Sequence, residues 1–348
     1  MTADPRCFDV AIVGGGLVGA SLALALRDTG LSIVVIEAFA PESTAQPSFD
    51  ERTTALGNGS RRVFEALGLW QKLAPEASQI RRIHISDAGR FGFARLDAGD
   101  FGQSALGYVV ANRVLGRELW AALRGQSAVE LRMPARVTQV QLGSDMARLH
   151  LSEAAGESQL CAKLVVAADG AQSLVRQAAG IDASRDDYDQ TAIVAALRTD
   201  RADDGTAYER FTPAGPMALL PIVVPQAGHW RTLVWAARPA DAQHLLALDE
   251  PSFLARWQQA FGWRAGRALQ LGSRVAYPLS LVRAGAGVAC RAVLLGNASQ
   301  ALHPVAGQGF NLGLRDAAEL AELLAQAAAE HGDVGAPQLL ARFSAHRD

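Results

Sequence analysis

The sequence predicts an α/β fold, α+β once an inserted sheet is counted, in two lobes. Three observations carry this. The chain opens with an apolar strand from Phe8, a glycine-rich turn and an Ala/Leu-rich helix reaching about Asp28. A second uncharged strand, Ser32–Ile36, follows and ends at an acidic residue, Glu37. Between about Ile181 and Ala276 the pattern turns to strand candidates, Ala192–Leu197, Met217–Val224 and Thr232–Ala237, with one helix at Pro251–Phe261. At 348 residues the chain exceeds what one small core needs. The expected layered lobe takes residues 1–79, 102–180 and 277–348, and the strand-rich lobe takes 80–101 and 181–276.

The opening strand leads into Gly14-Gly15-Gly16-Leu17-Val18-Gly19. Gly14, Gly16 and Gly19 stand at G-x-G-x-x-G spacing, which serves a tight turn, close approach to a pyrophosphate and close helix–strand contact. Glycine clusters also end ordinary strands. Here the turn lies between two apolar strands, with Glu37 placed to accept hydrogen bonds from a ribose, so a Rossmann-type dinucleotide site is the expectation.

Farther on, Ile80 to Phe101 alternates polar with apolar residues and reads as strands of another sheet. Tyr108 to Leu123 is strand then helix, and Val129 to Leu160 a meander of short strands. Lys163 to Ala168 is a buried strand running into Asp169-Gly170. A carboxylate there sits at the ligand-binding carboxyl edge of an α/β sheet. It equally suits an N-cap for the helix near Gln172. Arg176, one turn later, is either an ion-pairing support or a solvated charge. Near the end, Leu294 to Gly313 reads as an apolar strand, a loop with no acidic or basic side chain except His303, and a helix opening with Gly307-Gln308-Gly309. Such a helix start leaves N–H groups bare and favours an anion or an electron-rich ring. The last long helix is expected from about Phe310 to Glu330.

Composition narrows the function. The net charge of −2 gives no electrostatic footprint for nucleic acid. Cys7, Cys161 and Cys290 are far apart in sequence and form no C-x-x-C pair, so neither a metal site nor a redox-active disulfide is expected and a reducing compartment fits. His84, His150, His229 and His244 show no metal-ligand spacing. The uncharged run Val10–Leu26 follows Asp4 and Asp9 rather than a basic start, is broken by glycines and falls short of a membrane span, so no targeting segment is read there. Ser173 lacks the setting of a hydrolase nucleophile.

In their order, Gly14-x-Gly16-x-x-Gly19, Asp169-Gly170-x-x-Ser173-x-x-Arg176 and Gly296-Asn297-Ala298 through Pro304, Gly307-Gln308-Gly309 and Asn311 resemble the signature of class A flavoprotein monooxygenases of the p-hydroxybenzoate hydroxylase type. The resemblance covers nearly the whole chain. It is strongest toward the ubiquinone-biosynthesis hydroxylases, and within them those acting on 2-octaprenyl-6-methoxyphenol. That part is carried by Glu51-Arg52-Thr53-Thr54-Ala55-Leu56, Glu209 to Pro216, and Gly296 to Pro304.

The resemblance implies an FAD-binding Rossmann-type domain with an inserted mixed β-sheet substrate domain. Gly14, Gly16 and Gly19 would meet the FAD pyrophosphate, Glu37 the adenosine ribose, and Asp169 the middle of the cofactor. Gly296 and Asn297 fall where most of the family has Gly-Asp, and asparagine keeps an acceptor while adding a donor. Gly307, Gln308, Gly309 and Asn311 belong to the segment facing the flavin pyrimidine edge. Pro304 would shape the oxygen pocket, and Arg52 would approach the ring or the substrate; as a bare sequence feature Arg52 is also an ordinary loop arginine. Arg113 is a candidate for a phosphate or ribityl contact. Ala111-Asn112-Arg113 replaces a frequent Glu-Asn-Arg, so any contact by that glutamate is missing. The chain stops at Asp348 inside a helical pattern that relatives continue.

The implied reaction is hydroxylation of a prenylated phenol in ubiquinone biosynthesis. NAD(P)H would reduce FAD, O2 would add to form a C4a-hydroperoxide, and the ring would attack its distal oxygen. No second nicotinamide domain is visible. His303 is expected to support structure rather than transfer protons. Met217–Val224 could line a prenyl channel, or simply be a core strand. The implied setting is bacterial and cytoplasmic, with peripheral inner-membrane or biosynthetic-complex association compatible with a lipid substrate. Competing readings keep FAD but change the substrate or the chemistry, or make the chain a flavoprotein component without independent turnover. The Trp-x-Trp-x-Ile signature of flavin halogenases is absent.

Overall fold

The structure is a computed structural model and describes residues 6–40, 43, 46, 48–50, 52–224, 228–303 and 307–347. Arg6–Val13 is a central strand, parallel to Ile33–Ile36 on one side and to Gly156–Ala167 on the other. Val129–Arg132 extends the sheet beyond Ile33–Ile36, and Ala292–Leu294 extends it beyond Gly156–Ala167. Val10 and Ile12 face one core while Ala11 and Val13 face another. Burial on both faces explains why the strand reads as an unbroken apolar run.

One face is covered by helices Leu17–Ala25, Asn112–Leu123 and Gln308–Ala329. The other is covered by the antiparallel pair Ala135–Leu142 and Ala147–Glu153, whose Leu149 and Leu151 enter the second core. The chain leaves Arg6–Val13 toward one neighbour and returns much later on the opposite side. That reversal opens a crevice at the carboxyl ends of the strands.

The second sheet has nine strands. In order, they run from Gln300–Ala301 through Val275–Ala284, Ala183–Thr199, His229–Ala237, Met217–Pro221, Thr206–Phe211 and Arg82–Asp87 to Phe93–Asp97, with Ala268–Leu271 beside Ala183–Thr199. Helices Pro239–Ala247 and Glu250–Phe261 cover its outer face, burying Phe253, Trp257 and Phe261 against Met217, Leu219 and Trp235. Ala192, Ala236 and Leu279 pack on the opposite, inner face. The expected boundary at residue 277 falls inside Val275–Ala284, which pairs with Ala183–Thr199 along its whole length. A small sheet of Thr53–Gly57, Gly107–Ala111 and Ser78–Ile80 joins the lobes.

The expectation that the cysteines stay apart is corrected here. Cys7 and Cys161 are direct register partners in neighbouring parallel strands, with Cα atoms 4.4 Å apart, and form a disulfide. Their separation of 154 residues hid a contact that only strand register creates. No helix among the described residues is long and apolar enough to cross a membrane.

Candidate active site

A cleft of about 560 Å³ opens at the strand ends. Its floor is the glycine turn. Gly14 adopts φ +99°, and a Cβ there would lie 2.3 Å from the Ala168 carbonyl oxygen. A Cβ on Gly19 would lie 2.0 Å from the Gly14 oxygen, so the helix seats on the turn only because Gly19 has no side chain. Gly14 and Gly16 line the cleft, and Gly19 works from beneath it. The N-cap, Gly16, makes no side-chain cap hydrogen bond, leaving backbone donors of helix Leu17–Ala25 toward the cleft.

Glu37 fixes the turn from the second strand. Its carboxylate accepts from Gly15 N at 2.6 Å and from Phe39 N at 2.9 Å. From the opposite side the buried Trp120 indole donates to the Gly15 oxygen at 3.0 Å. Sequence reading had no signal for Trp120, an apolar-face residue 105 positions along the chain from Gly15.

Asp169 lines the same cleft from the end of Gly156–Ala167. The expectation that Asp169 caps the following helix is corrected: the N-cap of Leu174–Ala178 is Ser173, whose hydroxyl accepts from Arg176 N, and Asp169 Oδ2 instead accepts from Leu174 N at 2.8 Å from one turn of chain further back. Its Oδ1 is buried without a hydrogen-bond partner. Burial pushes its pKa up, against the lowering effect of Ser173 and nearby backbone N–H groups. Arg176 is not solvated, and among the described residues it pairs with no carboxylate. It is buried and donates to the Ala298 oxygen at 2.9 Å and the Ala171 oxygen at 2.8 Å. It thereby ties the Asp169 loop to the Gly296–Ala298 turn.

Gly296, Asn297 and Gly309 line the third side of the cleft. Helix Gln308–Ala329 starts at a left-handed Gly307, φ 58°, without a side-chain cap. Gln308 opens that helix, but neither it nor Gly307 is among the lining residues. Asn311 is also not a lining residue. Its amide donates to the Ala55 and Gly307 oxygens, and its Oδ1 accepts from Gly57 N and Ser60 Oγ. With that side chain so engaged, it holds the loop in place rather than reaching a ligand. Pro304 lies outside the described residues.

Arg52 lines the cleft where the two lobes meet. Its Nε donates to Asp50 Oδ2 at 2.6 Å, its guanidinium lies 4.7 Å from the Tyr277 ring centroid, and the Tyr277 hydroxyl donates to the same Asp50 oxygen at 3.1 Å. Burial first, then Asp50, raises the Tyr277 pKa, while Arg52 opposes them. Asn112 lines the cleft and accepts from Thr54 Oγ1, whereas Arg113 is not a lining residue and donates its backbone N–H to the Asp50 oxygen at 3.2 Å. His303 Nε2 meets Gln190 Oε1 at 3.1 Å and its ring meets Tyr188 edge-on. Burial lowers its pKa.

The family described as "FAD binding domain" matches residues 7–348. The chain is 40% identical to the ubiquinone hydroxylase UbiL of Rhodospirillum rubrum, over 97% of this chain and 77% of that protein. It is 34% identical to the 3-demethoxyubiquinol 3-hydroxylase of Escherichia coli, over 94% of this chain and 81% of that protein. Among solved structures, Pseudomonas aeruginosa PqsL in complex with 2-aminobenzoylacetate superposes with a TM-score of 0.81 at 23% identity, covering 98% and 92% of the two chains; at that identity it speaks for the fold.

The residues fit FAD. The glycine turn leaves backbone donors and no side-chain bulk at the cleft floor, and the orphaned Asp169 oxygen is an acceptor for a ligand hydroxyl. The chain belongs to the FAD-dependent monooxygenases, in the branch of the ubiquinone-biosynthesis hydroxylases.

Proposed function

We propose that this chain hydroxylates the ring of a prenylated phenol, taking electrons from NAD(P)H and oxygen from O2, as a peripheral protein at the cytoplasmic face of a bacterial inner membrane. The carrying observation is that one cleft gathers all three glycine- or carboxylate-bearing segments and is lined by Arg52, whose guanidinium lies over Tyr277 of the second sheet. Bound FAD supplies the redox chemistry, passing electrons from the nicotinamide to oxygen.

The chain's own residues bind and orient. Gly14, Gly16 and the first turn of Leu17–Ala25 would hold the pyrophosphate, with Glu37 keeping the turn in shape. Asp169 Oδ1 would accept from a hydroxyl of the linking chain, and Gly296 and Asn297 would flank it. The start of helix Gln308–Ala329 would favour negative charge at the adjoining end of the ring. The Asp50–Arg52–Tyr277 cluster would orient the phenol.

A water-excluding wall fits the substrate class. Ala192, Ala236 and Leu279 are buried on the inner face, with Val234 packed beside them. Leu220 and Ile222 pack against Ile80 and Val109 of the joining sheet. Met217 and Leu219, on the other face of Met217–Pro221, belong to the outer core, as the core-strand reading of Met217–Val224 expects. The test is reduction of the flavin by NAD(P)H with and without a short-tailed prenylated methoxyphenol. Faster reduction with the phenol supports the reading, and indifference to it removes the substrate assignment.

A further inference from the structure

A second cleft of about 440 Å³ lies on the outer face of the substrate sheet, lined by His84, Ser86, Tyr208, Arg210, Phe261 and Trp263 together with Glu209, Gly262 and Arg264. It sits where the sheet ends, between strands Arg82–Asp87 and Thr206–Phe211 and the turn after helix Glu250–Phe261. None of the cofactor segments contributes to it.

His84 is its most unusual member. The residue is 2% exposed, its ring lies 4.9 Å from Phe93 and 5.8 Å from Tyr208, and its Nε2 has no hydrogen-bond partner. A buried ring nitrogen left unpaired is unfavourable unless a ligand completes it.

Three guanidiniums gather around this imidazole. Those of Arg264 and Arg95 lie 5.0 Å and 5.3 Å from the Phe93 centroid, and Arg210 is held by Ser86 Oγ and the Ala260 oxygen. All three contribute to lowering the His84 pKa, after burial. Among the described residues no carboxylate is in ion-pair contact with any of them, and Glu209 is the one acidic residue of the lining. Trp263 and Phe93 stand at the rim, 70% and 53% exposed.

We propose that this cleft is a phosphate-binding site, in which the lining residues Arg264 and Arg210 hold the oxyanion, Arg95 on the neighbouring strand adds positive charge, and the unpartnered Nε2 of His84 gains a hydrogen bond to the ligand. Guanidiniums suit a phosphate because their fixed forks match its oxygens. The exposed aromatic rim accommodates an apolar or planar part next to the phosphate, as in a phospholipid headgroup or a soluble phosphate ester.

The test uses the FAD-loaded full chain in three arms. Inorganic phosphate is titrated by calorimetry, and co-sedimentation is measured with phosphatidylglycerol vesicles and with phosphatidylcholine vesicles. Phosphate binding without vesicle binding identifies a soluble ester; preferential retention on phosphatidylglycerol identifies the lipid source. In either case Arg264→Ala and Arg95→Ala are both surface changes; the first weakens binding by about tenfold, one charge-assisted contact, and the second, which removes only nearby charge, by about two- to threefold. His84→Gln, which can still donate, retains more affinity than His84→Leu. No binding in any arm, or binding unchanged in both arginine variants, overturns the proposal. Phenol-stimulated flavin reduction is read separately, so failure here is distinguishable from failure of the substrate assignment.

Discussion

The Arg52 guanidinium lies over the Tyr277 ring, and both residues grip one oxygen of Asp50. One partner comes from the loop before the joining sheet and the other from a strand of the substrate sheet, so the pair sets how the lobes meet above the cleft. A cation over an aromatic ring is worth about 0.5–2 kcal/mol. We expect Arg52→Ala to lower kcat/KM by about tenfold. Tyr277→Phe, which keeps the ring and loses one hydrogen bond, should lower it by about two- to fivefold. The double variant should fall short of the product of the two, since each change disables the same cluster.

Asp169 separates cofactor binding from stability. Removing its carboxylate as Asp169→Ala should weaken FAD binding by about tenfold or more, measured by flavin fluorescence, since both the helix anchor and the free acceptor are lost. Asp169→Asn keeps an acceptor for the anchor and removes a charge that burial disfavours. In the FAD-free protein at neutral pH, we therefore expect Asp169→Asn to melt higher than the parent.

Gly19→Ala should abolish flavin retention. Its Cβ would meet the Gly14 oxygen at 2.0 Å, a backbone atom that cannot move without opening the turn. Purification as a colourless protein with a lowered Tm is the expected result. Gly59→Ala is the contrast, because a Cβ there meets nothing within 4 Å and Gly59 does not line the cleft. It should still bind flavin.

The buried His84 and the half-buried His303 set the acid side of the stability curve. Burial holds His303 and His84 below the ordinary 6.5, and arginines add to the effect at His84. The unfolded chain takes up these protons near 6.5 while the folded chain does not, so it binds more protons below that pH. Their contribution is complete above 6.5 and is lost as pH falls toward the folded-state values. Asp169 and Asp316, with raised pKa values, act with the opposite sign nearer the ordinary carboxyl value of 3.8. We predict a falling Tm from about pH 7 to about pH 5.5, and a shallower fall in His303→Gln.

What could be read beforehand follows the range of the interactions. Gly14, Gly16, Gly19 and Glu37 share one strand–turn–helix–strand unit, so their chemistry is written in local spacing. Asp169 was placed by the strand that precedes it, while the cap expected of it falls to Ser173, four residues on. Tyr277, Asp50 and Trp120 were not legible, because they meet the site through sheet register and helix packing rather than spacing. The same blindness hid the Cys7–Cys161 pairing. Asn311 carried a motif position, yet its side chain holds Ala55, Gly57, Ser60 and Gly307 together. A motif can mark a residue that shapes a site as readily as one that touches the ligand.

The central claim is tested most directly by product analysis. The FAD-loaded chain is mixed in air with NADPH or NADH and a short-tailed prenylated methoxyphenol, and the organic phase is weighed by mass spectrometry. The account predicts faster flavin reduction with the phenol present and a product one oxygen atom heavier. A flavin-bound protein that oxidises the nicotinamide at the same rate without the phenol, and returns the phenol unchanged, would contradict it.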